Sequence, residues 1–195
     1  MYGLFPVAYP IAKLLDLLLG ANHGMLFNRE GLKMLVMLHE RSPFALTERL
    51  NREEVTVIST VLDLKEKPIS SIMTPLAKLF TLSNETSINK MTRYNILASG
   101  HALIPIYQQG HPRSFVGVLS VKSLVALKFE EEITVGHLSL DILPVVRPEG
   151  SCQELFHVFR DQNIKMALVT ERGSRHGEPL GIVSARDIMT EVFGE

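Results

Sequence analysis

The stretch "SFVGVLSVKSLV" (114–125) decides the fold, because "PLGIVSARDIM" (179–189) answers it later in the chain. Each is a short apolar run around one glycine, and each ends at a serine where strand-like patterning gives way to helical spacing. Gly117 matches Gly181 and Ser120 matches Ser184, both 64 positions apart. Upstream, "ALIPIY" (102–107) answers "KMALVT" (165–170), and "KLFTL" (78–82) answers "LPVVR" (143–147). Helical stretches start between these at Ser87 and at Ser151. In the second, Ser151 and Glu154 form a capping-box pattern, with Leu155, Val158 and Phe159 on one face. Polar, turn-rich loops, "QQGHPRS" (108–114) and "ERGSRHGEP" (171–179), precede the third strand of each copy. The spacing therefore predicts an α+β chain with a tandem repeat, strand–helix–strand–strand–helix, over 67–129 and 133–195. A unit of about 60 residues buries little core alone, so the copies are expected to pack together.

Outward from the repeat, residues 28–66 read as a helical connector. Leu32, Leu35, Val36 and Leu38 make an apolar face, and Asn51 with Glu54 forms a second capping-box pattern ahead of Val55, Ile58, Val61 and Leu62. The first 27 residues are apolar, but Pro6, Pro10, Lys13 and Asp16 interrupt them, so no run spans a bilayer. The segment also lacks the basic start of a signal peptide. Leu14, Leu15, Leu18 and Leu19 share one helical face, which suits a membrane surface or burial against this chain's own domains. The acidic run Glu130–Glu132 reads as a solvated linker between copies.

Composition narrows the function. Hydrophobic residues make up 46% of the chain, enough for a packed core. The 20 basic and 21 acidic residues leave a net charge of −1 with no basic stripe, which counts against nucleic acid as a partner. The single Cys152 cannot close an internal disulfide and fits a reducing compartment; at a helix start its role is packing rather than reactivity. The seven histidines show no metal-type i, i+4 pair, and there is no glycine-rich phosphate loop or nucleophile motif. The corner "GIVSARD" keeps two readings open: Ser184 and Asp187 start a helix, or they hold a ligand.

The blocks "YPIAKLLDLLLG" (9–20), "NREGLKML" (28–35), "IMTPLAKLF" (72–80), "SGHALIPIY" (99–107), "VGVLSVKSL" (116–124) and "LGIVSARDIMTEVFGE" (180–195) follow one another in the order of a known family. The chain resembles the cytosolic part of the cyclin M / CorC family of magnesium transporters, a pair of cystathionine-β-synthase (CBS) domains, or Bateman module. The resemblance implies that this chain is the cytosol-facing part of a membrane protein, with a transmembrane domain preceding it and residues 1–27 as the membrane-proximal segment. It implies a non-enzymatic regulatory role, with an adenine nucleotide (AMP, ADP or Mg-ATP) between the copies and no tightly bound metal. The implied site comprises Ser184, Arg186 and Asp187 at the corner, His101, Ile104 and Pro105 in "SGHALIPIY", and Lys165. A carboxylate there accepts from ribose hydroxyls, and the helix N-terminus favours phosphates.

Three departures qualify what the family implies. At the first copy's corner, Ser123 stands where the clamp needs an Asp, so at most one good nucleotide site is expected, the one containing Asp187. Ala102 and Leu103 occupy the places of a phosphate-binding Thr-Arg pair. Losing an Arg–phosphate contact costs roughly 1.5–3 kcal/mol, about ten- to hundredfold in affinity, which favours AMP or ADP over ATP. The loop "TERGSRHGEP" (170–179) is short and lacks Asp, so the phosphatase partner of animal members is not carried over. A nucleotide-free dimerisation module is the alternative function, and a CBS-regulated enzyme would need a catalytic domain. A homodimer is expected through helix 120–128 (Leu124, Val125, Leu127) and helix 184–193 (Ile188, Met189, Val192). Asp187, as a corner carboxylate, is expected to add little stability without ligand.

Overall fold

The computed structural model describes residues 28–41, 50–126 and 133–194. The expectations for residues 1–27, for Leu127 and for the 130–132 run lie outside the described residues. The chain divides into two compact units, Met1–Val55 and Thr56–Glu195. In the first, helix α1 (Arg29–Arg41) forms where the 3.6-residue spacing predicts it, with Asn28 Oδ1 accepting from Arg29 N at 2.8 Å. Helix α2 (Arg52–Asp63), most of which belongs to the second unit, starts at the expected Asn51, whose N–H donates to the Glu54 carboxylate at 2.7 Å.

The second unit holds the repeat. Its first copy contributes β2 (Leu82–Ser83), α3 (Lys90–Ala98), β3 (Leu103–Gln108) and β4 (His111–Ser120). The second contributes β5 (Val145–Val146), α4 (Cys152–Asp161), β6 (Met166–Thr170), β7 (Pro179–Ser184) and α5 (Ala185–Phe193). The copies match in pairing as well as order: β2 runs parallel to β3, and β5 parallel to β6, before each antiparallel hairpin.

Each sheet also takes a short pairing from the opening segment of the other copy. The two-residue strand β1 (Thr74–Pro75) pairs with β7, giving the order β1-β7-β6-β5. Reciprocally, Asp141 bridges to Val118 of β4, with backbone bonds of 2.8 and 3.0 Å. This exchange explains the matched glycines. A Cβ at Gly181 would lie 2.4 Å from the Thr74 carbonyl oxygen, and one at Gly117 would lie 2.9 Å from Leu140 Cβ. Only a residue without Cβ lets the incoming backbone approach so closely.

Strand alternation then builds three packed layers. On β3 and β4, Ile104, Ile106 and Leu119 face outward onto α3 with Ile96. On β6 and β7, Ala167, Val169 and Val183 face α4 and α5. The opposite faces, with Val118, Leu168 and Ile182, meet each other and join the copies as expected. The segment after α2 belongs to the second copy's core: Leu64 and Ile69 pack there, and the carbonyls of Leu64 and Lys67 accept from Gln153 and Cys152 at the start of α4.

Local expectations differ at four places. Helix α3 starts at Lys90 behind the N-cap Asn89, which accepts from Thr92 N at 2.8 Å. Ser87 forms a β-bridge to Thr134 instead. Strand β4 begins at His111, so the first hairpin turns at Gln109–Gly110 and most of the expected loop is extended. The first copy closes with a 3₁₀ run, Val121–Ala126, where an α-helix over 120–128 was expected. There Ser123 Oγ donates to the Ser120 carbonyl at 2.7 Å, so the corner lacks the acidic side chain that would cap an α-helix. The expected dimer faces are partly consumed internally: Leu124, Ile188 and Val192 are buried, whereas Val125 and Met189 stay exposed.

Candidate functional site

Strand β7 ends at Ser184, whose extended backbone (φ −113°, ψ 162°) makes it the N-cap of α5. Ser184 Oγ accepts from Asp187 N at 3.3 Å. In return Asp187 Oδ2 accepts from Ser184 N at 2.7 Å and from Ser184 Oγ at 2.8 Å. This is a complete capping box, so Asp187 does more for the ligand-free helix than expected. Both side chains nonetheless line an open cleft of about 400 Å³. The helix-start and ligand readings of the corner therefore share one geometry.

The cleft is assembled from four places in the sequence. The β7–α5 corner supplies Ser184, Arg186 and Asp187, and the start of β6 supplies Lys165 and Met166. The Lys165 carbonyl accepts from Ala185 N at 2.9 Å, which ties these two elements together. The turn after α3 supplies His101 and Ala102, with Leu103 and Pro105 following on β3. The crossing segment of β1 supplies Thr74, Lys78 and Phe80. Phe80 and His101 stack, with ring centroids 5.9 Å apart and 23° between planes.

Six of the seven expected site residues thus meet in one cleft. Ile104 is the correction: it is fully buried in the α3 core. Leu103 and Pro105 face the cleft, and alternation along a strand turns the residue between them away. The turn before β3 needs a left-handed residue, and Gly100 provides it at φ +69°. Asn163 takes the same conformation at φ +52° before β6. Sequence reasoning missed Thr74, Lys78 and Phe80 as site residues. Their only signal was the block "IMTPLAKLF", which gives no local hint that it crosses to the other sheet.

The cleft's charge is unbalanced. Lys78, Lys165 and Arg186 line it with a single carboxylate, Asp187, and none of the three cations forms an ion pair among the described residues. A second cleft of about 310 Å³ lies between the start of β3 and the turn before β6, and residues 120–123 of the first copy's corner do not line it. Asp141, Gln162, Asn163 and Lys165 line it, without a Ser–Asp clamp. Cys152 plays the packing role expected of it. It is fully buried, and burial pushes its thiol pKa up, against the smaller opposing pull of Lys67.

The CBS domain family model matches residues 135–194, the second copy. Protein MAM3 of Saccharomyces cerevisiae is 40% identical over the whole of this chain, which spans 27% of that protein's length. A solved CBS domain of a bacterial CNNM/CorC family Mg2+ transporter is 25% identical, covers 87% of this chain and 98% of its own, and superposes with a TM-score of 0.72. The chain belongs to the cyclin M / CorC (CNNM/CorC) family. The fold of this cyclin M / CorC chain is the expected CBS pair, and the cleft lined by Ser184 and Asp187 lies at its β7–α5 corner. The CBS domain of a bacterial CNNM/CorC family Mg2+ transporter has also been solved in complex with ATP, at 24% identity and a TM-score of 0.65 over 73% of this chain and 99% of its own. No helix among the described residues is long and apolar enough to cross a membrane.

Proposed function

We propose that this chain is the regulatory CBS-pair module of a membrane magnesium or divalent-cation transporter, facing the cytosol and sensing an adenine nucleotide in the cleft at Ser184–Asp187. One observation carries the reading: the sequence-distant residues expected at the site, Ile104 apart, line one cleft beside a helix N-terminus. Asp187 is set to accept from ribose hydroxyls, and Phe80, Pro105, Met166 and Ile182 offer an apolar wall for a base. The module does no chemistry itself; it acts by binding one arrangement of its elements better than another.

Helix α5 is the element that links binding to output. Its N-terminus carries the clamp, and one turn further Glu191 is ion-paired with Lys67, in the segment that follows α2. A ligand that shifts α5 therefore acts directly on Lys67, just past the end of the connector. Hydrogen exchange measured with and without AMP tests this. Protection is expected to rise at 99–103 and 184–190 and to change at 64–72. A change confined to the cleft would remove the relay, and no change anywhere would remove the sensor.

The alternative, a nucleotide-free dimerisation module, draws on Ala102 and Leu103, which place no phosphate-binding side chain on the cleft. Either role accommodates a homodimer through the apolar side chains left in water. These are Met189 and Phe193 on α5, Val125, and the stripe Met91, Tyr94 and Leu97 along α3.

A further inference from the structure

We propose that Ser174 is a phosphorylation site for an arginine-directed serine kinase, and that its phosphate is held by Arg147, Arg172 and Arg175. The inference shares with the reading above only the cytosol-facing placement that gives kinases access. Ser174 lies in the β6–β7 loop (171–178), at the end of β7 away from Ser184 and Asp187.

The loop leaves the hydroxyl free. The Ser174 carbonyl fastens the turn, accepting from Thr170 Oγ1 at 3.1 Å and from Gly177 N at 3.0 Å. Thr170 is buried, whereas Ser174 is exposed and its hydroxyl makes no hydrogen bond among the described residues. Arg172 stands two residues before it and Arg175 one after. A third arginine arrives from another element. Arg147, just after β5, lies across Gly173, with its Nε 3.0 Å from where a Cβ on that glycine would sit. All three arginines are exposed, and none is ion-paired among the described residues. Two other hydroxyls have basic neighbours without this setting. Thr92 has Lys90 and Arg93 at the same spacings but lies in α3, and a helix resists being drawn out into a kinase cleft. Ser184 precedes Arg186, but its Oγ is bound to Asp187.

In the transfer, Ser174 Oγ attacks the γ-phosphorus of ATP held by the kinase. The new Oγ–P bond replaces the bond to the bridging oxygen, ADP leaves, and the hydroxyl proton passes to the kinase's base. The product carries a charge of about −1.5 to −2 and three acceptor oxygens. Arginine forks bind such a group bidentately. The grip also has a route outward. Pro148 and Gly150, in the turn after Arg147, accept from Ser70 N and Ile69 N, both at 2.9 Å. A phosphate that holds Arg147 therefore steadies the turn to which the segment after α2 is bound.

The test incubates the whole chain with a purified arginine-directed kinase and magnesium ATP, and locates the phosphate by mass spectrometry. Wild type should take one phosphate, on Ser174; Ser174→Ala should take none, and Arg172→Gln should react roughly tenfold more slowly. A second measurement uses the chain made with phosphoserine at position 174 and follows the phosphate by phosphorus NMR against pH. Its second pKa should fall below the ordinary value of about 6 and return towards it in Arg147→Gln. Amide exchange at 69–70 should slow in the phosphorylated chain. No incorporation, or incorporation chiefly at Thr92 or Ser184, would overturn the site. An ordinary phosphate pKa would overturn the arginine grip, and unchanged exchange at 69–70 would overturn the route outward. Each of these failures leaves the nucleotide reading standing, because none of the measurements involves the cleft at Asp187.

Discussion

Asp187→Ala separates the two duties of the corner. In the free chain it deletes two hydrogen bonds accepted by Oδ2, from Ser184 N and Ser184 Oγ, and so opens the capping box. Loss of the N3 partner of a capping box costs about 0.3–1.5 kcal/mol. In a chain of this size about 1 kcal/mol lowers the melting temperature by roughly 2–4 °C. That is more than a bare corner carboxylate would give. In the complex the same substitution removes the acceptor for ribose hydroxyls. Affinity should fall about tenfold or more, equivalent to about 1.4 kcal/mol. Asp187→Asn distinguishes the effects, because its amide oxygen can still accept from Ser184 N while the charge is gone. Thermal melts and calorimetric titration with AMP on both variants give the result. The expected pattern is a melting temperature largely recovered in Asp187→Asn with affinity still low. Recovery of both together would show that Asp187 serves only the helix, and an unchanged affinity in Asp187→Ala would refute its role in the site.

Replacing Ala102 with Thr and Leu103 with Arg should strengthen ATP binding about tenfold or more and AMP binding little, since only ATP carries distal phosphates; equal gains in titrations would place these side chains at the adenosine end. Gly181→Ala should destabilise the chain by about 1–3 kcal/mol in urea unfolding, because the new Cβ collides with the Thr74 carbonyl oxygen; a neutral result would mean that β1 does not pair with β7 in solution. Because burial raises the Cys152 thiol pKa, the native chain favours the neutral thiol. Stability from this group is present below the ordinary thiol pKa of about 8.5 and declines as pH rises above it. Cys152→Ala should flatten that alkaline decline in unfolding measurements, and native Cys152 should react with a thiol reagent more slowly than free cysteine. Light scattering at micromolar concentration should report a dimer that Met189→Asp weakens; a monomeric wild type would defeat the shared interface.

The repeat was legible because its signals are local: alternating apolar residues, a glycine at one place in each copy, and serine at each strand end. The edge exchange was not. Thr74 and Pro75 meet Ile182 and Gly181 across more than half the chain, and two residues carry no periodicity. For the same reason Lys78 escaped notice while Lys165 and Arg186, beside the motif, did not. Ile104 is a different case. Strand alternation turns it away from the face that Leu103 and Pro105 share, a local signal that outranks resemblance to a motif. The shift of the α3 start from Ser87 to Lys90 reflects tertiary pairing: both Ser87 and Asn89 suit a cap, and the bridge to Thr134 assigns Ser87 to extended backbone.

The stoichiometry of AMP binding tests the central claim most directly. The Ser–Asp clamp is complete at the cleft of Ser184 and Asp187, whereas Ser123 leaves the first copy's corner without a carboxylate. Calorimetric titration of the whole chain with AMP in EDTA should therefore give one site per chain, weakened about tenfold or more in Asp187→Ala. Two equal sites per chain, or one site whose affinity is unchanged in Asp187→Ala, would contradict the account.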